Sequence, residues 1–293
     1  MFDLIGISPQ ALFGQLLLGL INGAFYAMLS LGLAVIFGML NVINFTHGAQ
    51  YMMGAFAAWL LLGLLGIPFW VSLVLAPIIV GAFGVVLERL MLQRLYKLDH
   101  LYGFLLTFGL ALVIEGLFQW KWGSSGAPDP SPIPGGYNLG FMFMPNYRAY
   151  VVVAALAICL TTWYAIERTR LGAYLRAATE NPTLVRAFGI NVPRLITVTY
   201  GFGVGLAALA GVLAAPIAQV SALMGTNLVL VVFAVVVIGG MGSIMGAIVT
   251  GFGLGIIEGL TKVFFPEASN TVIFIIMALV LLVRPAGLFG RTA

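Results

Sequence analysis

The chain has 293 residues, of which 62% are hydrophobic and only 8% charged, with a formal net charge of +4 and a mean hydropathy of +1.12. No water-soluble domain could bury that much apolar side chain, so lipid must be the solvent for much of it. The apolar runs are continuous and near helix-spanning length rather than alternating, which excludes a membrane barrel, and the single cysteine, Cys159, excludes an intramolecular disulfide.

These runs predict an all-α fold: a polytopic transmembrane helical bundle of about eight or nine spans, one or two of them broken or re-entrant. Residues 1–293 read as one transmembrane domain with larger loops at 121–148 and 167–194. Candidate spans cover 11–38, 48–66, 69–92, 101–120, 149–166, 195–217, 224–240, 243–262 and 270–287. No Lys or Arg precedes Arg89. The basic start of a cleaved signal peptide is missing, so the first span is expected to be retained.

The first span carries Gly19, Gly23 and Ala27 at four-residue spacing, which suits close helix packing. A polar cluster then interrupts the membrane-like sequence from Ile36 to Phe56: Asn41, Asn44, Thr46, His47 and Gln50. Polar groups at membrane depth need partners or water. The cluster fits either a substrate path or a polar turn joining the first two spans. His47 has no Cys, other His or carboxylate at ligand spacing, so no metal site is predicted.

The next loop, 88–100, carries Arg89, Arg94 and Lys97, and Glu88 reads as interfacial beside Arg89. Glu115 and Glu258 fall inside spans near their ends. They are either functional carboxylates or groups that reach the interface or pair with Lys121 or Lys262. Residues 121–148 contain five prolines and five glycines, which forbid a regular helix through most of the segment. It reads as a solvated connector or as a cap that shapes a docking surface.

The charged island Glu167–Arg194 holds five arginines and two glutamates. Within it Asn181 and Pro182 start a short helix, Asn as cap and Pro in the first turn, and Gly189 stops it. Leu184, Val185 and Phe188 form an apolar patch on that helix. Such a patch suits a groove on a partner, or the headgroup region, which Arg176 and Arg186 would also favour.

Further small-residue rows appear at Gly203, Ala207 and Gly211 and at Gly251, Gly255 and Gly259. They suit helix packing, with unwound segments around a substrate as the alternative. Glycine is densest at Gly239, Gly240 and Gly242. Ten basic residues, Arg89, Arg94, Lys97, Arg168, Arg170, Arg176, Arg186, Arg194, Arg284 and Arg291, go to the cytoplasmic face against Lys121, Arg148 and Lys262 outside. This tally puts the N-terminus outside and the C-terminus in the cytoplasm. It holds only if 224–262 crosses and returns, with a break at Gly239–Gly242. The chain has no phosphate-binding GxxxxGK[ST] loop, no HExxH and no GxSxG, so no enzyme chemistry is expected on it.

RAATENPTLVRAFGIN, followed by FGVGLAALAGVLAAP, resembles the cytoplasmic coupling segment of ABC importer permeases. LINGAFYAMLSLGLAVIFGMLNVINFTHGAQYMMGAF resembles the start, and VVVIGGMGSIMGAIVTGFGLGIIEGL with MALVLLVRPAGLFG the end, of the LivH/LivM permease family of branched-chain amino-acid importers. The resemblance covers nearly the whole chain. It implies an ATP-driven importer in a bacterial inner membrane, working by alternating access. It also implies a second permease subunit, two ABC ATPase subunits that hold the ATP, and an extracytoplasmic solute-binding protein, with no cofactor on this chain and no nucleic acid. The coupling segment it implies carries Arg176, Glu180, Asn181, Leu184, Val185, Phe188 and Gly189. The usual importer pattern has Glu-Ala-Ala ahead of its glycine, whereas Glu180 is followed here by Asn181 and Pro182. Asn41, Asn44, His47, Gln50, Gly239, Gly240 and Gly242 are the candidate path residues. Urea or a short amide is the alternative cargo, and an ATPase-independent transporter or channel the alternative mechanism.

Overall fold

The computed structural model describes residues 8–40, 44–96 and 98–290. Asn41, Lys97 and Arg291, assigned above to the path and to the basic face, lie outside the described residues. Eleven α-helices follow in order among them: α1 Pro9–Leu40, α2 Thr46–Leu65, α3 Phe69–Leu90, α4 His100–Trp122, α5 Asn146–Glu167, α6 Arg170–Glu180, α7 Pro182–Ala187, α8 Val192–Ala214, α9 Thr226–Gly239, α10 Ile244–Phe264 and α11 Val272–Val283. A small antiparallel hairpin, β1 Gly136–Asn138 and β2 Phe143–Pro145, sits between α4 and α5. The chain is an all-α polytopic membrane protein.

Among the described residues, seven helices, α1, α2, α3, α4, α5, α8 and α10, are long and apolar enough to cross a membrane. Full spans at 224–240 and 270–287 are not what forms. Helices α9 and α11 have 14 and 12 residues, about 21 and 18 Å at the α-helical rise, against ~30 Å of hydrocarbon. Neither helix alone is long enough to cover that thickness.

Helix α1 is apolar around its circumference and is the most buried of the seven, as a central helix must be. It runs antiparallel to α10. Gly23 meets the backbone of Gly251 and Phe252, and Gly251 meets Ala27. Helix α8 wedges between α1, α2 and α3: Gly203 meets Gly32 and Ile36, Gly211 meets the Tyr51 carbonyl, and Gly201 meets Val85. The small-residue rows thus set three interhelical seams, with contact area replacing the hydrophobic drive that lipid does not supply.

The chain does break at 239–243. Gly240 and Gly242 have φ of +100° and +82°, a region glycine enters without a Cβ penalty. The Ser243 hydroxyl then caps α10 by accepting from the Gly246 amide at 3.1 Å. The free carbonyls at the end of α9 are satisfied in trans: Leu288 N–H donates to Ile238 O and Phe289 N–H to Gly239 O, at 2.8 and 3.1 Å. Gly242 also lies against Gly38 of α1. The C-terminal ends of α1, α3, α5, α9 and α11 therefore share one face with α6 and α7. The hairpin and the ends that carry Lys121, Arg148 and Lys262 form the other.

Candidate functional site

The α6–α7 face is built on a close turn. A Cβ on Gly172 would collide with the Ile166 carbonyl, so α6 folds back tightly against the end of α5. Arg176 fixes that turn, donating to the Ile166 carbonyl at 2.9 Å and pairing with Glu167 at 3.5 Å. Its guanidinium thus satisfies one of the orphan carbonyls at a helix end.

Helix α7 begins and ends as its residues dictate. The Asn181 side chain accepts from the Leu184 amide at 2.9 Å, and Pro182 occupies the first turn. Gly189 closes the helix at φ +80°, its amide donating to the Arg186 carbonyl. The apolar patch is split by the fold. Val185 turns inward onto Ala178 of α6 and Val192 of α8. Leu184 and Phe188 stay outside, 54% and 77% exposed. Glu180 is exposed at the end of α6. Thr179, one residue earlier, reaches the Gly38 carbonyl at 3.5 Å. A cavity lined by Ala34, Gly38, Arg176, Thr179 and Gly242 lies behind α6. The outward knob on α7 is therefore a few residues from both the central helix and the glycine break.

The polar cluster before α2 is recessed into the bundle. Phe45 N–H donates to Thr107 at 3.3 Å, about two turns into α4 from His100, which sets the cluster among the helices rather than at their ends. Asn44, His47 and Gln50 are fully buried. Asn44 donates to the Gln50 side-chain oxygen at 3.1 Å and accepts from the amide and hydroxyl of Thr46. Gln50 donates to the Thr46 hydroxyl at 3.1 Å and to the Tyr200 hydroxyl at 3.5 Å. His47 donates through Nε2 to the Leu29 carbonyl at 2.9 Å. The cluster braces α1, α2, α4 and α8 through these bonds, with His47 Nδ1 left buried and without a partner.

Glu88 is enclosed by the protein rather than exposed beside Arg89. It is fully buried and accepts from Thr197 of α8 and from Tyr96, each at 2.7 Å. Burial first, and the bond to Glu88 second, push the Tyr96 phenol above its ordinary range. Glu115 accepts from the Thr226 hydroxyl at the start of α9. Glu258 is buried, accepts from the Tyr26 hydroxyl at 2.6 Å and pairs with Lys262 one turn on. The pairing of Glu258 with Lys262 is one of the alternatives the sequence offers; the part of Tyr26 is not among them. A lone hydroxyl in an apolar run gives little warning that it will meet a carboxylate 232 residues away. Gly239 and Gly240 are buried in the break, Gly240 packed against Ala286 and Gly290.

Residues 15–281 match the family model described as branched-chain amino acid transport system / permease component. The chain is 29% identical to the high-affinity branched-chain amino acid transport system permease protein LivH of Escherichia coli K12, over 94% of this chain and 95% of the relative. It is 29% identical to the permease BraD of Pseudomonas aeruginosa over the same shares. Similarity extends to LivM of Escherichia coli K12, at 26% identity over 91% of this chain and 68% of that protein. No solved structure matches the chain.

Proposed function

The chain belongs to the branched-chain amino-acid transport permease family, and on that premise we propose that it forms half of the translocation path of an ATP-driven importer for branched-chain amino acids. A second permease would supply the other half. The similarity to both LivH and LivM relatives supports a pair of related but distinct chains. Two ABC ATPase subunits would dock on the α6–α7 face, in the cytoplasm, and a solute-binding protein on the hairpin face. The arginine-rich composition of 167–194 supports this orientation, as does a hairpin that presents Tyr137 and Phe143 outward.

The observation that carries the reading is α7. A six-residue helix is marginal alone, yet this one is capped by Asn181, closed by Gly189 and anchored through Val185. All of that holds Leu184 and Phe188 away from their own protein. An aromatic and an aliphatic side chain held out on a rigid stub fit a groove on a partner. When the ATPases close on ATP, α7 would move with its groove. The Gly172 turn would pass that motion to α5, and the Thr179–Gly38 contact to α1. Access then alternates as the spans shift about the Gly239–Gly242 break.

The test is co-purification of this chain with its ATPase subunits, followed by uptake in liposomes. ATP-dependent leucine import that requires both permeases, both ATPases and the binding protein is the expected result. Import by this chain alone would replace the reading with an ATPase-independent transporter.

A further inference from the structure

A cleft of about 510 Å³ lies between the first turns of α9, the outer half of α10 and the start of α11. Its size is that of a small-molecule pocket. Its lining combines polar groups, Glu258, the Tyr26 hydroxyl, Asn227 and Asn270, with aliphatic ones, Val231 and Ile273 among them. A second cavity shares Tyr26 and Leu228 with it and continues past Asn22 to the end of α8. Tyr26 therefore stands where the two spaces meet.

Glu258 lines the cleft, while Lys262 stands beside the lining, one turn on in α10, and reaches the site only through its ion pair with Glu258. Glu258 is held rigidly: its side chain is only 6% exposed, and Tyr26 donates to one of its oxygens. Lys262 pairs with the other oxygen from a side chain that is 34% exposed and can swing away. At membrane depth a bare carboxylate is costly, so its partner can leave only if another cation replaces it. A free amino acid is the ligand that meets this condition at both ends. Its ammonium replaces Lys262 on Glu258, and its carboxylate then takes the displaced lysine. One ion pair becomes two, with no net charge added to the cleft. Asn227 and Asn270 supply further donors and acceptors, and an aliphatic side chain faces Val231 and Ile273. A ligand with only one of the two charges would leave an unpaired ion behind, which such a site rejects.

We propose that this cleft is a zwitterion subsite on the transport path, taking the α-ammonium of an aliphatic amino acid at Glu258 and its α-carboxylate at Lys262. The proposal rests on the amino-acid cargo argued above.

The experiment uses the complete transporter in liposomes, with both permeases, the ATPases and the binding protein, and leucine as the probe. Glu258→Gln should lower leucine uptake at least ~10-fold, since charged-partner loss at a buried site typically costs that much or more, while the ATPases still co-purify. Asn270→Cys supplies a second readout that keeps Glu258 intact. Cys159 is buried, so a thiol reagent should label residue 270, and saturating leucine should slow labelling. 4-Methylpentanoate and 3-methylbutylamine, each carrying one of the two charges, should not. Parental uptake by Glu258→Gln overturns the subsite. If that variant fails to assemble, unprotected labelling of Asn270→Cys in a transporter that still imports leucine overturns it instead. A parent complex that imports no leucine sinks the cargo reading itself, and the subsite with it.

Discussion

Gly19 of α1 and Gly255 of α10 meet backbone to backbone: a Cβ on either residue would lie 2.5 Å from the carbonyl oxygen of the other. The obstruction is main chain on both sides, so no side-chain rotation can relieve it. Gly255→Leu should therefore force α1 and α10 apart, at a cost of about 1–3 kcal/mol or more. A lower melting temperature of the purified protein in detergent is expected. Gly253 is the control, because nothing lies within 4 Å of a Cβ there. Gly253→Ala should be neutral or raise stability by up to about 1 kcal/mol, the helix-propensity gain. Equal melting temperatures for Gly255→Leu and the parent would show that the seam does not hold these helices.

A second prediction fixes orientation. Ala173 and Ser125 are both exposed, on opposite faces of the bundle, and the only native thiol is buried. In a Cys159→Ser background, Ser125→Cys should react with a membrane-impermeant thiol reagent added to intact cells whose outer membrane, where present, is permeabilised. Ala173→Cys should react only after the inner membrane is breached. The opposite pattern would place the binding protein and the ATPases on the wrong faces.

The recessed polar cluster gives the third. Asn44→Leu removes the acceptor for the Thr46 amide and hydroxyl and the donor to Gln50. Leaving buried partners unsatisfied costs about 1–3 kcal/mol, so thermal stability should fall and uptake should fall with it. If Asn44 instead lines the path, uptake would drop while the melting temperature stays at the parental value. The two measurements together separate a brace from a channel wall.

The sequence announces most of the bundle, because lipid imposes long apolar helices and leaves the small-residue rows visible at four-residue spacing. It also announces the break at Gly239–Gly242, since the charge tally fails without it. What it hides is depth and pairing. Asn44 and His47 read alike as polar turn or path, because only the fold says that Phe45 sits beside Thr107. Glu88 gives no sign in the sequence of the Thr197 hydroxyl that α8 brings to it. In α7 the patch of Leu184, Val185 and Phe188 is legible, but not that Val185 faces home while its neighbours face out. That depends on Ala178 and Val192, which lie on the flanking helices.

The last prediction uses that division. Phe188 is 77% exposed, so Phe188→Ala should leave the melting temperature of the isolated permease unchanged. At an interface, losing an aromatic anchor costs about 2–4 kcal/mol, or roughly 30- to 1,000-fold in affinity. ATPase subunits should therefore dissociate from the variant, or hydrolyse ATP without driving uptake. Val185→Ala should behave in the opposite order, softening the α6–α7–α8 junction by about 1–2 kcal/mol through lost burial and weakening ATPase binding only as a consequence. Asn181→Ala should lie between them, since a helix cap is worth about 1 kcal/mol. Pull-down of the ATPases, melting curves and uptake on the same three preparations decide the matter. Should Phe188→Ala bind the ATPases and import leucine like the parent, α7 is not the element that receives their motion, and the route through Gly172 and Thr179 loses its starting point.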